Sequence, residues 1–238
     1  MHYAVEVTTA KDCGTKTIGV DKGYTEVLVD SDGEHHGEGF GELLSTESDA
    51  FKNKNQHRAK LRAIAENTKD NGKRQRIIKN NLGNKKKNRR AKRTRARIKD
   101  KIYKAVHAVV DKSAVIVTED LTAQMSGKNF GKNVNRRLSS WTKGVIAEAI
   151  ENVSQRRGST LVLVNPAYTS QMDSRNGCLL GSRKGDQFYC FDGVVLQADE
   201  NAARNVLARL HDPGIDRWTP FKKVKSILLE RTERFRLP

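Results

Sequence analysis

The chain has 238 residues, of which 45 are Lys or Arg and 28 are Asp or Glu, so its formal net charge at pH 7 is +17. So large a positive charge predicts a polyanionic partner such as a nucleic acid. The 36% of hydrophobic residues is enough to bury a core, which excludes a wholly disordered basic tail. No apolar run reaches the roughly 18 residues that a membrane span needs.

The cysteines and the N-terminal residues bear on the compartment. Cys13, Cys178 and Cys190 are too few and too scattered to form a disulfide framework. The first residues, MHYAVEVTTAKD, lack the basic and apolar regions of a signal peptide. We therefore expect a cytoplasmic protein with no membrane partner, associated with the nucleoid if the source is prokaryotic.

Short apolar runs and turn residues predict the order of the elements. KTIGVD and TEVLVDS, a turn at Asp32-Gly33 and a weaker strand over residues 34–40 indicate an antiparallel meander. Residues 50–112 are polar and helical in period, with interruptions at Asn71-Gly72 and residues 81–83, which predicts a helical hairpin. The strand AVIVTE, a helix over residues 142–157, the strand TLVLVN and a helix beginning near Asp199 follow.

This order of elements is that of an α/β protein with an RNase H-like mixed sheet, flanking helices and a long basic helical-hairpin insert. We expect residues 1–50 and 113–166 to form two parts of one domain, interrupted by the basic insert at residues 51–112. Residues 167–198 are an irregular segment, and residues 199–238 hold the final helix and a C-terminal extension. Residues 211–238 include an amphipathic helix that either caps the domain or contacts another chain.

Three acidic residues lie at the ends of these elements. Asp21 closes TIGVD, Glu119 closes VIVTE and Asp199 opens DENAARNVLARL. Strands one and four are neighbours in an RNase H-like sheet, so Asp21 and Glu119 should face each other, and the final helix should bring Asp199 beside them. Any one of these acids alone more often serves solubility, but the three together favour a nuclease site in which carboxylates hold two divalent ions. Mg²⁺ is the expected ion, with Mn²⁺ as a substitute.

The basic insert contains the second candidate site. Residues 85–101 include 11 Lys or Arg, opposed only by Asp100. Such crowding of like charge destabilises an isolated helix, and a merely solvated face usually mixes both signs, so an anionic partner is the favoured interpretation. Apolar residues from Ile98 to Val109 share one helical face, which should dock on the domain while the earlier part projects. The candidate contacts with nucleic acid are Lys85, Lys86, Lys87, Arg89, Arg90, Lys92, Arg93 and Arg97.

Other polar and aromatic residues receive no catalytic role. Asp30 and Asp32 flank a turn, and Asp120 should point away from Glu119 as a structural carboxylate. His35 and His36 have no Cys or His partners at ligand spacing. We expect Trp141 and Trp218 to pack, since base stacking would need an aromatic cluster. Residues 125–135, rich in Gly and Asn, form either a lid or a disordered segment.

Four blocks carry a family resemblance: GVDKGYTEVLVDSDG, VIVTEDL, NPAYTSQ and ADENAARNVLARL. They resemble the RuvC-type nuclease half of the TnpB (OrfB) transposon-associated proteins and of type V CRISPR effectors, over about residues 18–210. TSQ followed by D-x-N-A-A-x-N is the most specific part. The resemblance implies Mg²⁺-dependent DNA cleavage at Asp21, Glu119 and Asp199. It also implies an RNA guide, whose base pairing chooses the target while the protein reads duplex geometry and a short flanking motif.

The sequence departs from the family pattern in two places. The family carries a four-cysteine zinc ribbon in the segment that corresponds to residues 167–198, but the ligand positions here read Asp173, Asn176, Cys190 and Asp192. This segment is a degenerate ribbon, and structural zinc is not expected. The family also has an RNA-binding β-barrel and a helical recognition part before the first RuvC block. Here that block starts about twenty residues from Met1, which leaves a fragment, a short product or a partner that supplies those modules.

Three functions remain open on the sequence alone. The leading hypothesis is a metal-dependent DNA endonuclease, RNA-guided as part of a larger assembly. The alternative is a binding module that holds guide RNA or DNA through the basic insert without efficient cleavage. A dimeric resolvase of branched DNA would share the carboxylates but does not predict TSQ or D-x-N-A-A.

Overall fold

The computed structural model describes residues 11–120 and 140–237, with the backbone alone for Ser140 and Trp141. The segment at residues 125–135 and the side chain of Trp141, both considered above, lie outside this description. The strands are β1 (Lys16–Lys22), β2 (Leu28–Asp30), β3 (His35–His36), β4 (Ser113–Glu119), β5 (Thr160–Val164), β6 (Gly181–Lys184), β7 (Gln187–Cys190) and β8 (Val195–Gln197). The helices are α1 (Phe40–Asn67), α2 (Asn71–Asn81), α3 (Lys85–Lys112), α4 (Ser140–Arg157), α5 (Ala198–Arg209) and α6 (Phe221–Arg236).

The main sheet has the strand order β3-β2-β1-β4-β5. Strand β2 is antiparallel to both β1 and β3. Strand β4 is parallel to β1, and β5 is parallel to β4. The change from antiparallel to parallel places the ends of β1 and β4 at the same edge. The predicted α/β fold, a mixed sheet with flanking helices, is confirmed.

The core lies between the sheet and the helices α3 and α4. Ile18 and Ile116 of the sheet contribute to it, with Ile102 of α3 and Ile146 of α4, and all four are almost fully buried. Burying a side chain of this size stabilises the fold by about 1.5–3 kcal/mol. The apolar face predicted for the second half of α3 is confirmed, since its members are all buried: Ile98, Ile102, Ala105, Val106 and Val109.

Helix α5 covers the opposite face of the sheet at very short range. A Cβ atom built on Gly19 of β1 would lie 2.5 Å from the carbonyl oxygen of Ala203 and 2.7 Å from Cβ of Leu207. The absence of a side chain at Gly19, together with the buried Ala202 and Ala203, therefore allows α5 to rest on β1. This contact sets the position of the first turn of α5 relative to the end of β1.

The third strand and the helical insert that follows it differ from their prediction. Residues 34–40 were expected to be a strand, but only His35 and His36 are in β3, and α1 begins at Phe40. The physical reason is that Gly37 and Gly39 have positive φ, which ends the strand, while Phe40 is fully buried at the start of the helix. The insert contains three helices instead of a hairpin of two.

The interruption predicted around Asn71-Gly72 lies at residues 68–70, directly before the start of α2. The side chain of Asp70 accepts a hydrogen bond from the backbone N–H of Lys73 and so caps this helix. The guanidinium of Arg58 in α1 donates to the carbonyl oxygens of residues 81, 82 and 83 at 3.0, 2.7 and 3.0 Å. Arg58 thereby satisfies carbonyl groups that the end of α2 leaves without helical partners.

The C-terminal helix α6 caps the domain, which agrees with the first of the two predicted alternatives. Val224 and Leu228 are fully buried against Ala167, Met172 and Ile215. Phe235, predicted to lie on the same apolar face, is half exposed. Among the described residues, no helix is long and apolar enough to cross a membrane.

Candidate functional site

The structure brings Asp21, Glu119 and Asp199 to one edge of the main sheet. Val20 of β1 pairs with Thr118 of β4 in parallel register, so the next residue of each strand is one of the predicted acids. Asp199 lies in the first turn of α5, the helix that packs on β1. The sequence-based expectation that the first strand, the fourth strand and the final helix place these residues together therefore agrees with the fold.

The electrostatics of Asp21 reflect this proximity. Burial and the negative charges of Glu119 and Asp199 raise the pKa of Asp21 to about 7. Burial also raises the pKa of Glu119. Carboxylates that lie close together in a low-dielectric environment repel one another when they are ionised. A bound cation therefore stabilises their ionised form.

A network of hydrogen bonds supports the acids from behind. Thr169, in the 3-10 turn formed by TSQ (Thr169–Gln171), donates its hydroxyl hydrogen to Glu119 Oε1 at 2.5 Å. Asn205 of α5 donates to the carbonyl oxygens of Thr169 and Met172, both at 2.8 Å. Asn201 donates to the Met172 carbonyl at 2.7 Å. TSQ and the two asparagines of D-x-N-A-A-x-N therefore join α5 to the turn that orients Glu119.

Two cations approach the acids, and sequence reasoning missed both. Arg183 of β6 donates from Nη2 to Asp199 Oδ1 at 2.6 Å. Lys22 donates from Nζ to the backbone carbonyl oxygen of Glu119 at 3.3 Å. Arg183 comes from the degenerate ribbon, where an isolated arginine in GSRKGD gives no signal of its partner.

The three acids are near neighbours but are not in chelating contact with one another. Within residues 11–120 and 140–237, a single group of three potential ligands has its atoms within 4.8 Å of one another, and its members are Asp30, Glu34 and His36. In that group Lys112 Nζ lies 2.7 Å from Asp30 Oδ2 and 2.9 Å from Glu34 Oε1, so an ammonium group already supplies the positive charge. The Asp30 side chain also accepts from the backbone N–H of residues 32 and 34 at 3.0 Å, which confirms its predicted role in the turn.

The degenerate ribbon forms a small antiparallel sheet, β6-β7-β8, held by a charged clasp. The guanidinium of Arg175 donates to both oxygens of Asp173, at 2.6–3.2 Å, and to both oxygens of Asp192, at 2.9 and 3.0 Å. Asp173 is fully buried and also accepts a hydrogen bond from the Cys190 thiol. Two carboxylates neutralised by an arginine do not fit the thiolate-rich donor set of a structural zinc site.

The predicted basic contacts divide into two groups. Arg90 and Arg97 each lie 3.4 Å from a carboxylate oxygen of Glu47 in α1, and Thr94 donates to the same carboxylate at 2.9 Å. These contacts hold α3 against α1. The other candidates have exposed side chains along the first half of α3: Lys85, Lys86, Lys87, Arg89, Lys92 and Arg93.

Asp120 follows Glu119 in the chain, and Arg217 links it to Trp218. Arg217 Nε donates to Asp120 Oδ2 at 2.6 Å, which agrees with the structural role predicted for Asp120. The expectation that Trp218 packs is wrong, because its side chain is 74% exposed. The Arg217 guanidinium carbon lies 4.5 Å from the centre of the indole ring.

Part of the chain matches a known family model. Residues 144–206, from α4 through TSQ and the ribbon to α5, match the family model described as Cas12f1-like, TNB domain. Over these residues the match confirms the resemblance to the TnpB and type V CRISPR effector proteins that the sequence blocks indicate. No curated protein sequence matches the chain significantly.

Solved structures of type V effectors resemble the fold. The chain is similar to Cas12f1 in a complex with single-guide RNA and target DNA, at 16% identity and a TM-score of 0.51 over 86% of this chain. It spans 40% of the length of that Cas12f1. Matches to the mini-RNA-guided endonuclease Cas-phi3 and to C2c1 of Alicyclobacillus acidoterrestris have identities of 21% and 17% and TM-scores of 0.41. They cover 60% and 57% of this chain and 23% and 19% of those proteins.

Proposed function

We propose that the protein is a divalent-metal-dependent DNA endonuclease that hydrolyses phosphodiester bonds. The observation that carries the proposal is the convergence of Asp21, Glu119 and Asp199 at one sheet edge, with the pKa of Asp21 raised to about 7 by burial and by the other two carboxylates. A protein that maintains such a cluster at the cost of stability is expected to use it. The net charge of +17 suits a nucleic acid substrate.

The donor set of the site fits magnesium. Carboxylate oxygens are hard ligands, and Mg²⁺ usually binds to a few of them together with water and substrate phosphates, with Mn²⁺ as a substitute. A pair of such ions supplies an activated water and neutralises the phosphate and the leaving oxygen. Among the described residues the acids stand slightly apart, and Arg183 pairs with Asp199 Oδ1, so a cation at Asp199 competes with Arg183.

Each side chain has a separate task in this proposal. Asp21 and Asp199 are the principal cation ligands, and Glu119 is both a ligand and the group that orients the attacking water. Thr169 fixes the carboxylate of Glu119 by its 2.5 Å hydrogen bond. Arg183, which lies next to Asp199, would pair with a substrate phosphate that is bound through the cations.

The partners follow from the basic helix and from the relatives. The exposed cations of α3 lie along the first half of one helix and fit a nucleic acid backbone, which would set affinity and salt dependence more than sequence preference. The Cas12f1 relative was solved with a single-guide RNA and target DNA. We therefore propose that this chain acts with a guide RNA, and that upstream RNA-binding domains or a partner protein complete the assembly.

A second candidate function is a binding module with weak nuclease activity. It is favoured by the ion pair between Arg183 and Asp199, which neutralises one of the three acids. Such a module would bind guide RNA or DNA through α3 without efficient cleavage. The two functions predict different effects of mutating an acid. A nuclease should lose cleavage, whereas a binding module should show little cleavage even before the mutation.

The deciding experiment is a cleavage assay on end-labelled single-stranded DNA with Mg²⁺ or Mn²⁺. We expect metal-dependent products from the wild-type chain and none from Asp199→Asn. Asp100→Asn, which changes an exposed acid on α3, is the matched control and should cleave normally. Uncleaved DNA together with normal binding would favour the binding module, and a strong preference for four-way junctions would indicate a resolvase.

A further inference from the structure

The edge of the sheet that carries the acids also carries an exposed aromatic patch, made of Tyr168, Trp218 and Phe221. The Trp218 side chain is 74% exposed and that of Phe221 is 54% exposed. The rings of Tyr168 and Phe221 stack with their centroids 4.6 Å apart and their planes at 25°. Large aromatic side chains usually bury their rings, so exposed ones that are held in place indicate a contact surface.

Hydrogen bonds support the turn that presents Trp218. Its backbone N–H donates to Asp216 Oδ1 at 2.8 Å, and the Thr219 hydroxyl donates to the same atom at 2.9 Å. The buried Asn165 donates from Nδ2 to the carbonyl oxygens of Asp216, Arg217 and Thr219, at 3.2, 3.3 and 2.8 Å. The exposed indole is therefore part of a built turn.

The same contacts place the turn beside the candidate metal site. Asn165 follows Val164, the partner of Glu119 in the pairing of β4 with β5. Arg217 binds Asp120, the residue after Glu119, at 2.6 Å, and its guanidinium lies over one face of the Trp218 indole. Tyr168 immediately precedes Thr169, which binds the Glu119 carboxylate. The aromatic patch and the acids thus share their supporting residues.

The backbone of Tyr168 indicates that its position is maintained at a cost. It has a φ of 65°, which makes it, among the described residues, the only non-glycine residue with positive φ. A bulky residue in this conformation is strained, and glycine or asparagine would adopt it more easily. The ring of Tyr168 therefore contributes something that glycine or asparagine would not supply.

The charged residues near the patch indicate the class of ligand that it binds. Arg217 precedes Trp218 and is paired with Asp120, whereas Lys222, Lys223 and Lys225 follow Phe221 in the first turns of α6 and are exposed. The single acid in the stretch from residue 216 to residue 225, Asp216, is engaged in the bonds of the turn. Exposed aromatic rings among cations match the bases and phosphates of a single strand, because each base offers a π-face for stacking. A protein surface with the same complementarity would need apolar and acidic groups together.

We propose that Trp218, covered on one face by Arg217, is a stacking site for an unpaired base of single-stranded nucleic acid at the sheet edge that carries the acid cluster. The stacking itself requires no cleavage. Its use to position the strand for cutting rests on the proposed nuclease function. In a duplex the bases already stack on one another, so the site should favour single strands.

The test uses the fluorescence of the full chain in metal-free buffer, where no cleavage occurs. Trp141→Phe leaves Trp218 as the single tryptophan. We expect a short thymidine oligonucleotide to quench its emission, and a strand of the same length with abasic sites to quench it far less. Trp218→Ala should weaken binding of the oligonucleotide about five- to 100-fold, the range typical of base stacking on an aromatic ring. Trp218→Tyr should restore most of that affinity.

Two controls separate stacking from other effects. Phe235→Ala removes an exposed ring at the far end of α6 and should leave binding unchanged. Lys223→Gln should lower the salt dependence of binding, whereas Trp218→Ala should not, since stacking releases no counterions. Equal quenching by abasic and normal strands, or unchanged affinity of Trp218→Ala, would overturn the proposal. Self-association of the chain that depends on Trp218 and not on nucleic acid would assign the ring to a protein contact instead, and would overturn it too.

The outcomes also separate this proposal from the nuclease assignment. Quenching with normal strands but no metal-dependent cleavage would retain the stacking site and reject the nuclease. Cleavage by the wild-type chain with the same KM in Trp218→Ala would retain the nuclease and reject the stacking site. If both hold, Trp218→Ala should raise KM for single-stranded DNA about as much as it weakens binding.

Discussion

Arg183 and Asp199 form an ion pair at the start of α5, with Nη2 of the guanidinium 2.6 Å from Oδ1 of the carboxylate. The carboxylate is 9% exposed and the guanidinium 33%, so water screens the pair only in part. The pair joins β6 of the degenerate ribbon to the candidate metal site. It also places the arginine in competition with any cation that binds Asp199.

We expect Arg183→Gln to bind Mg²⁺ more tightly than the wild-type chain. A partly exposed ion pair is worth roughly 1 kcal/mol, so the concentration of Mg²⁺ for half-maximal stabilisation should fall about three- to tenfold. Thermal unfolding at increasing Mg²⁺ concentration measures this shift. Arg204→Gln is the matched control, because Arg204 pairs with Glu200 on the same helix. An unchanged Mg²⁺ midpoint in Arg183→Gln would refute the competition.

Asp21→Asn should stabilise the metal-free protein while it abolishes cleavage. The pKa of Asp21 is raised from 3.8 to about 7, so the folded state binds its proton more tightly than the unfolded state. The stability that this group contributes is complete below pH 4 and is lost as pH rises through 7. The variant should therefore match the wild-type chain near pH 4 and exceed it above pH 7, by about 2–4 kcal/mol in urea unfolding.

A control with the opposite sign tests the cause of that pH dependence. The hydrogen bond from Lys11 lowers the pKa of Asp111, so the stability due to Asp111 is present above its unfolded pKa and is lost in acid. Asp111→Asn should then be less stable than the wild-type chain at neutral pH and equal to it in acid. If Asp21→Asn showed the same direction as Asp111→Asn, the electrostatic account of the site would be wrong.

The sequence contains enough information to predict the acids but not their cationic neighbours. Asp21 and Glu119 end apolar runs whose order predicts parallel neighbours, so the elements alone indicate that they meet. Arg183 reaches Asp199 from a strand of the ribbon, and its partner depends on how that strand folds back. Trp218 was expected to pack. Its exposure depends on the turn that Asn165 holds, and Asn165 lies 53 residues earlier in the chain. Such long-range contacts leave no periodic signal.

Local signals located the break in the helical insert but not the end of the third strand. The interruption predicted around Asn71-Gly72 lies at residues 68–70, between α1 and α2, and Asp70 caps α2 there. The strand expected over residues 34–40 ends early because Phe40 enters the core at the start of α1. There a tertiary contact outweighed the local preference.

Gly19→Ala tests the contact that positions Asp199. The added Cβ would lie 2.5 Å from the carbonyl oxygen of Ala203, so α5 must move away from β1. We expect a loss of about 2–4 kcal/mol in urea unfolding, as for overpacking against backbone, and a loss of cleavage that exceeds the loss of folded protein. Gly144→Ala in α4 is the control, since its Cβ meets nothing within 4 Å and should stabilise the helix slightly. Wild-type stability of Gly19→Ala would contradict the close packing.

Arg175→Met tests the clasp of the ribbon. The variant removes five hydrogen bonds to Asp173 and Asp192 and leaves the buried Asp173 without its cation. Loss of a partner from a buried charge costs about 3 kcal/mol or more, so the ribbon should unfold or loosen, which limited proteolysis at residues 173–197 would detect. The wild-type ribbon should resist a zinc chelator. Unfolding of the wild-type ribbon by the chelator would instead indicate a metal in this segment.

Replacement of Lys85, Lys86 and Lys87 with Gln tests the exposed cations in the first half of α3. These side chains are exposed, in contrast to Arg90, which contacts Glu47 of α1, so the change should leave the fold intact. Each phosphate contact contributes about 0.7 to the salt dependence of binding to a single strand, so the slope of log K against log salt should fall by about two. Affinity should fall equally for unrelated sequences, because phosphate contacts position nucleic acid without reading it. The triple replacement of Lys143, Arg156 and Arg236 removes the same charge from scattered exposed positions. An equal effect of that control would show that α3 contributes only to the net charge.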